Sequence, residues 1–160
     1  MKEILLVLLI ISPLVTIIHE LGHITAVKIF KHELSRVRIG SGKSIFSIGK
    51  VSVGMFFFHT GSFHYKRGRA HHPVQKIIIM LAGPLANLMT ALIAYAIMIN
   101  FEMTTFIRNI VLNDFFILSI YMTVINLLPV SFGKTNTDGK QILDLLRSGE
   151  SKYLKEKYTK

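Results

Sequence analysis

The pentapeptide His19-Glu20-Leu21-Gly22-His23 puts two imidazoles and a carboxylate within five residues. On a helix, His19 and His23 stand about one turn apart and project from the same face. Two imidazoles at that spacing can hold one zinc ion, and the glutamate between them can serve as the general base of a hydrolase. The setting is apolar. An uncharged run from Ile4 to Ile18 leads straight into the motif, and the stretch from Ile4 to Phe30 is mostly hydrophobic. Ionisable groups at membrane depth are costly, so they mark function by default. The residues therefore point to zinc-dependent hydrolysis within a membrane.

Two histidines do not complete a catalytic zinc site, which usually takes three protein ligands and leaves a position for water. The chain has no cysteine, so the third ligand must be a histidine or a carboxylate from elsewhere. Asp138, just before Gly139, is the first candidate. Asp114 competes with it from the start of a later apolar block. Asp144 is more simply a solvated charge. Asp138 has a bland alternative role as the N-cap of a short tail helix. His59, His64, His71 and His72 lie in a basic loop without carboxylate partners and read as surface or interfacial residues.

The elements that must position these groups follow from hydropathy. The chain is 51% hydrophobic with a mean hydropathy of +0.48, too apolar for an ordinary soluble domain. Three blocks, at about 4–30, 74–99 and 106–128, are long enough to cross a bilayer, which takes roughly 20 apolar residues. No small-residue cleavage site follows the first block, so it reads as a retained helix and not as a signal peptide. The net charge of +10 is unevenly spread. Nine of the 19 basic residues lie between Lys28 and Arg69, and seven lie from Lys134 to Lys160. Basic loops beside apolar spans obey the positive-inside rule and place the N-terminus outside and the C-terminus in the cytosol. No nucleic-acid-binding motif accompanies the charge, so no nucleic-acid partner is expected.

The loop 31–72 alternates apolar and polar residues around Val37 and Ile39, and again around Val51, Val53 and Met55, with glycines between the runs. That is a strand-and-turn pattern. The run Met55-Phe56-Phe57-Phe58 suits a membrane anchor, so the loop is expected to be a small sheet lying on the membrane. The stretch Val51 to Met55 is the expected edge, where an extended substrate could add as a further strand. Residues 140–147 suit a short amphipathic helix, and 149–160 form a charged tail.

Three motifs, each on or beside its own apolar block, give the chain a specific resemblance. His19 to His23 is the first, Ala82-Gly83-Pro84-Leu85-Ala86-Asn87 the second, and Asn126-Leu127-Leu128-Pro129 followed by Asp138-Gly139 the third. In this order they resemble the site-2 proteases, the family of intramembrane zinc metalloproteases. The resemblance implies a mainly α membrane protein with three transmembrane helices and a strand-rich loop between the first two. One core would span 1–148. The implied metal ligands are His19, His23 and Asp138, with Zn2+ as cofactor and Glu20 as the catalytic base. Asn87 and Asn126 are candidates for contacting substrate, or for donating to the oxyanion in the case of Asn87. The implied reaction is hydrolysis of a peptide bond in or near a transmembrane segment of a membrane-bound substrate. A non-proteolytic membrane protein that keeps zinc and binds a peptide or regulates a partner is the alternative, and the intact Glu20 argues against it. The expected surroundings are the lipid bilayer and a membrane-protein substrate, with a regulatory partner or a homo-oligomer left open. One departure stands out. Many family members have only a few residues between the proline and the aspartate, whereas here Val130 to Thr137 intervene. How Asp138 returns to the metal is a question for the fold.

Overall fold

A computed structural model of the chain describes residues 2–66, 72–133 and 135–147, without the side chains of Lys2 and residues 57–60. The expected tail 149–160 and His71 lie outside the described residues, as does the side chain of His59. Among the described residues, three helices are long and apolar enough to cross a membrane: Glu3–Ile29, Pro73–Asn100 and Ile107–Leu127. They match the three hydropathy blocks to within one or two residues. The first contains a π-helical stretch, Val7–Ile11, before its regular part, Ser12–Ile29; the irregular turn directly precedes Pro13, which has no N–H to give to the turn before it. The second begins at Pro73 behind His72. The His72 Nδ1 accepts from the Val74 N–H (3.3 Å), and the Gln75 side chain accepts from the His72 N–H (3.3 Å), satisfying donors that a helix start leaves open.

The bundle is apolar outside, and its interior holds polar groups beside apolar ones such as Val15, Val27 and Ile79. Ile10, Met89 and Tyr121 are each about 60% exposed, while Thr16, His19, Glu20, His23, Asn87, Ser119 and Thr123 are buried. A water-soluble bundle would reverse this order. Hydrocarbon welcomes the exposed side chains and leaves polar groups to find partners inside the protein. Small residues let the first two helices approach: a side chain on Gly22 would collide with the Ala82 carbonyl and the Ala86 methyl.

Between the first two spans, β1 (Glu33–Ile48) and β2 (Val51–Lys66) form a long antiparallel hairpin. The hairpin is folded back on itself. Val37, Arg38 and Ile39 pair with Phe63, Ser62 and Gly61, and also with Val51, Ser52 and Val53. In the second set the residue numbers rise together, so that stretch of the register is locally parallel. The Val37 N–H donates to the Lys50 carbonyl (2.8 Å) at its start. Val51 and Val53 also pair with Ile48 and Phe46. The expected edge at Val51 to Met55 is therefore corrected: residues 51–53 have strand partners on both sides. Among the described residues, the stretches of the hairpin with strand partners on one side only include Glu33 to Arg36, Ser44 to Ile48 and Gly61 to Lys66.

The long stretch after Pro129 is a second, small hairpin, β3 (Ser131–Phe132) against β4 (Thr135–Asn136), turning at Gly133 with φ +60°. A helix over 138–147 follows.

Candidate metal centre

Three buried side chains from two distant parts of the chain meet at one point. The His19 Nε2 is 3.1 Å from the Asp138 Oδ2 and 3.1 Å from the His23 Nε2, and the His23 Nε2 is 3.3 Å from the same carboxylate oxygen. Among the described residues this is the one group of three or more metal-ligating side chains whose atoms converge. Four-coordinate zinc with bonds of roughly 2.0–2.1 Å spaces its ligand atoms on the order of 3.3 Å apart, so the triangle has the size of a tetrahedral face. The donor set of two imidazoles and one carboxylate suits zinc as well.

The first span supplies both histidines on one face, as the spacing predicts. The second span receives them. The His23 Nδ1–H donates to the Ile79 carbonyl at 2.6 Å, which leaves the Nε2 lone pair aimed at the cluster. Gly83 makes room for that ring, because a Cβ there would strike the imidazole of His23. On its other side His23 stacks on Phe63, with ring centroids 4.5 Å apart and 21° between planes. Phe63 in turn stacks on Tyr65 at 6.0 Å. The outer half of β2 thus walls the site. Glu20 is buried with its Oε2 unpartnered, and the hairpin passes so close that a side chain at position 61 would overlap the Glu20 carboxylate. An orphaned buried carboxylate oxygen next to three converging donors is what a site for water and a cation leaves behind.

Asp138 reaches the cluster through its neighbour. The Thr137 N–H donates to the Val130 carbonyl at 3.1 Å, and the Thr137 hydroxyl accepts from the N–H groups of Val130 (3.3 Å) and Lys140 (3.2 Å). The same hydroxyl lies 2.5 Å from the Leu128 carbonyl and 3.0 Å from that of Val130, between which its single proton is shared. Thr137 therefore closes residues 130–137 into a loop and caps the helix that begins at Asp138. The capping role weighed for Asp138 belongs to Thr137. Gly139 completes the joint, since a Cβ there would meet the Leu127 carbonyl. Burial alone would push the Asp138 carboxyl up. The His19 and His23 rings against it outweigh burial and hold it below the ordinary carboxylate range.

The structure brings together His19, Glu20, His23, Asn87 and Asp138. The Asn87 Nδ2 lies 3.4 Å from the His19 Nδ1. Asn126 has a different environment, donating to the Met122 carbonyl within its own helix at 3.0 Å. Asp114 starts the regular part of the third span outside the cluster, and Asp144 pairs with Lys140 in the C-terminal helix. Sequence reasoning missed Thr137, Gly61 and Phe63. A Thr-Asp-Gly run before an apolar helix is a capping signal that could have flagged the first. The other two required knowing which strand packs on the first span.

Residues 4–114 match the model of peptidase family M50, and the matched region is more than half of the chain. The chain belongs to that family, the site-2 proteases. It is 31% identical over 143 residues to the "Uncharacterized membrane protein YwmF" of Bacillus subtilis (strain 168), covering 89% of this chain and 87% of the relative. The family match contains His19, Glu20, His23 and Asn87. Asp138 lies beyond it and rests on the geometry described above.

Proposed function

We propose that the protein is an intramembrane zinc metalloprotease that hydrolyses a peptide bond in or near a transmembrane segment of a membrane-bound substrate. The observation that carries this reading is the convergence of His19, His23 and Asp138 beside the buried, unpartnered Oε2 of Glu20. The family supports a membrane peptidase, and the chemistry of the site supplies the rest.

His19 Nε2, His23 Nε2 and an oxygen of Asp138 would hold the ion. When bound, zinc supplies Lewis acidity that makes water a nucleophile near neutral pH. Glu20 takes the proton of the attacking water on its unpartnered oxygen and returns it to the amine that leaves. Ile79 fixes His23 through its carbonyl. Phe63 and the second span exclude bulk water from the cluster, which strengthens every electrostatic contact inside it. A substrate helix must unwind locally, because its peptide groups are shielded and hydrogen-bonded while helical. Residues 61–66 of β2 offer the extended segment a strand to pair with, since they are paired on one side and adjoin Glu20 and His23. A photoreactive group at Ser62 should crosslink to substrate. Crosslinks from Ser52 alone would overturn that assignment.

The deciding experiment reconstitutes the full chain in liposomes with single-span substrates. Glu20→Gln should lower cleavage by about 10²–10⁴-fold while bound zinc stays at the wild-type level. Cleavage that survives the substitution refutes the mechanism.

The charge distribution supports an N-terminus outside and a C-terminus in the cytosol. The chain has no cysteine, so single cysteines introduced near Glu102 and near Lys140 can be labelled one at a time in intact cells. Labelling at 102 by an impermeant reagent, with none at 140, is expected. The opposite pattern inverts the topology.

A further inference from the structure

Asn87 is completely buried, its Oδ1 has no hydrogen-bond partner, and its Nδ2 faces the Nδ1 of His19. A neutral imidazole has one proton for two nitrogens. When the Nε2 of His19 hydrogen-bonds the Asp138 carboxylate it carries that proton. The Nδ1 is then a lone pair, and the Asn87 Nδ2–H donates to it. When the Nε2 serves as a ligand its lone pair is engaged, so the proton moves to Nδ1 and needs an acceptor. A half-turn of the Asn87 amide exchanges its two ends. The turn brings the orphaned Oδ1 onto the Nδ1–H and satisfies both groups. His23 shows the loaded arrangement already, with its Nδ1–H on the Ile79 carbonyl. Ile79 and Asn87 belong to the same helix, Pro73–Asn100, and lie eight residues apart. That helix thus faces both ligand rings from behind.

We infer that Asn87 is a positioning residue for His19, an amide that serves either tautomer of the ring and sets the Nε2 lone pair on the metal by accepting from Nδ1–H. This assignment replaces contact with substrate as the role of Asn87. It rests on the reading of His19 as a zinc ligand. Outer partners of ligating histidines orient the ring and raise its basicity, and their loss typically costs 10–100-fold in metal affinity.

The test measures zinc affinity of the full chain in detergent by competition with a chelating indicator. Asn87→Leu keeps the branching at Cγ and removes both ends of the amide, and it should weaken zinc binding by about 10–100-fold. Asn87→Asp retains an acceptor and should hold affinity within about tenfold of wild type, a rescue that simple packing would not give. In a His19→Ala background the leucine substitution should add no further loss, because the two residues act as one unit. A second readout needs no metal: ¹⁵N-imidazole spectra of the apoprotein should move to the Nδ1–H form for His19 in Asn87→Asp. That arm decides the matter if the leucine variant does not fold. Unchanged zinc affinity and an unchanged tautomer overturn the inference, and a raised KM in the same variant returns Asn87 to the substrate. Failure of the wild-type protein itself to bind zinc is a separate outcome and refutes the metalloprotease reading.

Discussion

The two halves of the candidate metal site are built by different kinds of structure. His19 and His23 sit in the middle of a continuous helix, and the spacing of four residues places both rings. Asp138 sits at the start of a short helix after a loop that leaves the membrane span, and hydrogen bonds to Thr137 place it. The helical half needs room and receives it from Gly83 and Gly22. The loop half needs closure and receives it from a hydroxyl. A span can hold a ligand through its own backbone bonds, whereas a turn at that depth must satisfy its backbone through side chains. The difference shows where this site is easiest to loosen.

The strongest challenge to that comparison removes the loop ligand outright. Asp138→Ala should reduce zinc affinity as much as His23→Ala does, by more than the roughly 100-fold expected for an outer partner. Near-wild-type zinc content in Asp138→Ala, measured by elemental analysis, would cut the loop half out of the site. Next in size, Gly83→Val drives a branched side chain into the His23 ring. Overpacking of this kind typically costs 1–3 kcal/mol, so zinc affinity should fall by about tenfold or more, while Leu85→Val on the exposed side of the same turn should not change it. Thr137→Val keeps the shape and deletes the clamp. The Val130 N–H keeps the Leu128 carbonyl, but the Lys140 N–H loses its cap, a change that typically costs about 0.5–2 kcal/mol. A loss of about tenfold in zinc affinity is expected, with the helical content unaltered by circular dichroism. The smallest effect should come from replacing residues 131–136 by Asn-Gly, a two-residue turn that joins paired strands. Since Val130 and Thr137 are already paired, zinc affinity should stay within about threefold of wild type. A large loss there would mean that the hairpin itself, and not Thr137, sets Asp138.

Much of the helical half was legible in the sequence. The motif from His19 to His23 carries its own geometry, and the apolar blocks declare the spans because a bilayer tolerates little else. Period-two alternation identified strands in 33–66. It could not say that Val37 to Ile39 would lie between two segments of β2, because alternation names a strand without naming its partners. The edge was misplaced for that reason. The contacts of Gly61 with Glu20 and of Phe63 with His23 were hidden in the same way: they join residues about 40 positions apart through tertiary packing. Asp138 was legible as a residue type at a motif position. Its delivery to the cluster depended on the Thr137 network, and the long spacing from Pro129 looked like an obstacle until the stretch folded back as a hairpin.

The closed loop at 130–137 uncouples the number of residues it contains from the place where it ends. Its tip at Gly133 has open space around it, and Phe132 points outward. An epitope or a small fluorescent tag spliced in at that tip would therefore be read as extra length by the chain and as nothing by the three converging side chains, and it would report the sidedness of this end of the protein without disturbing the candidate site.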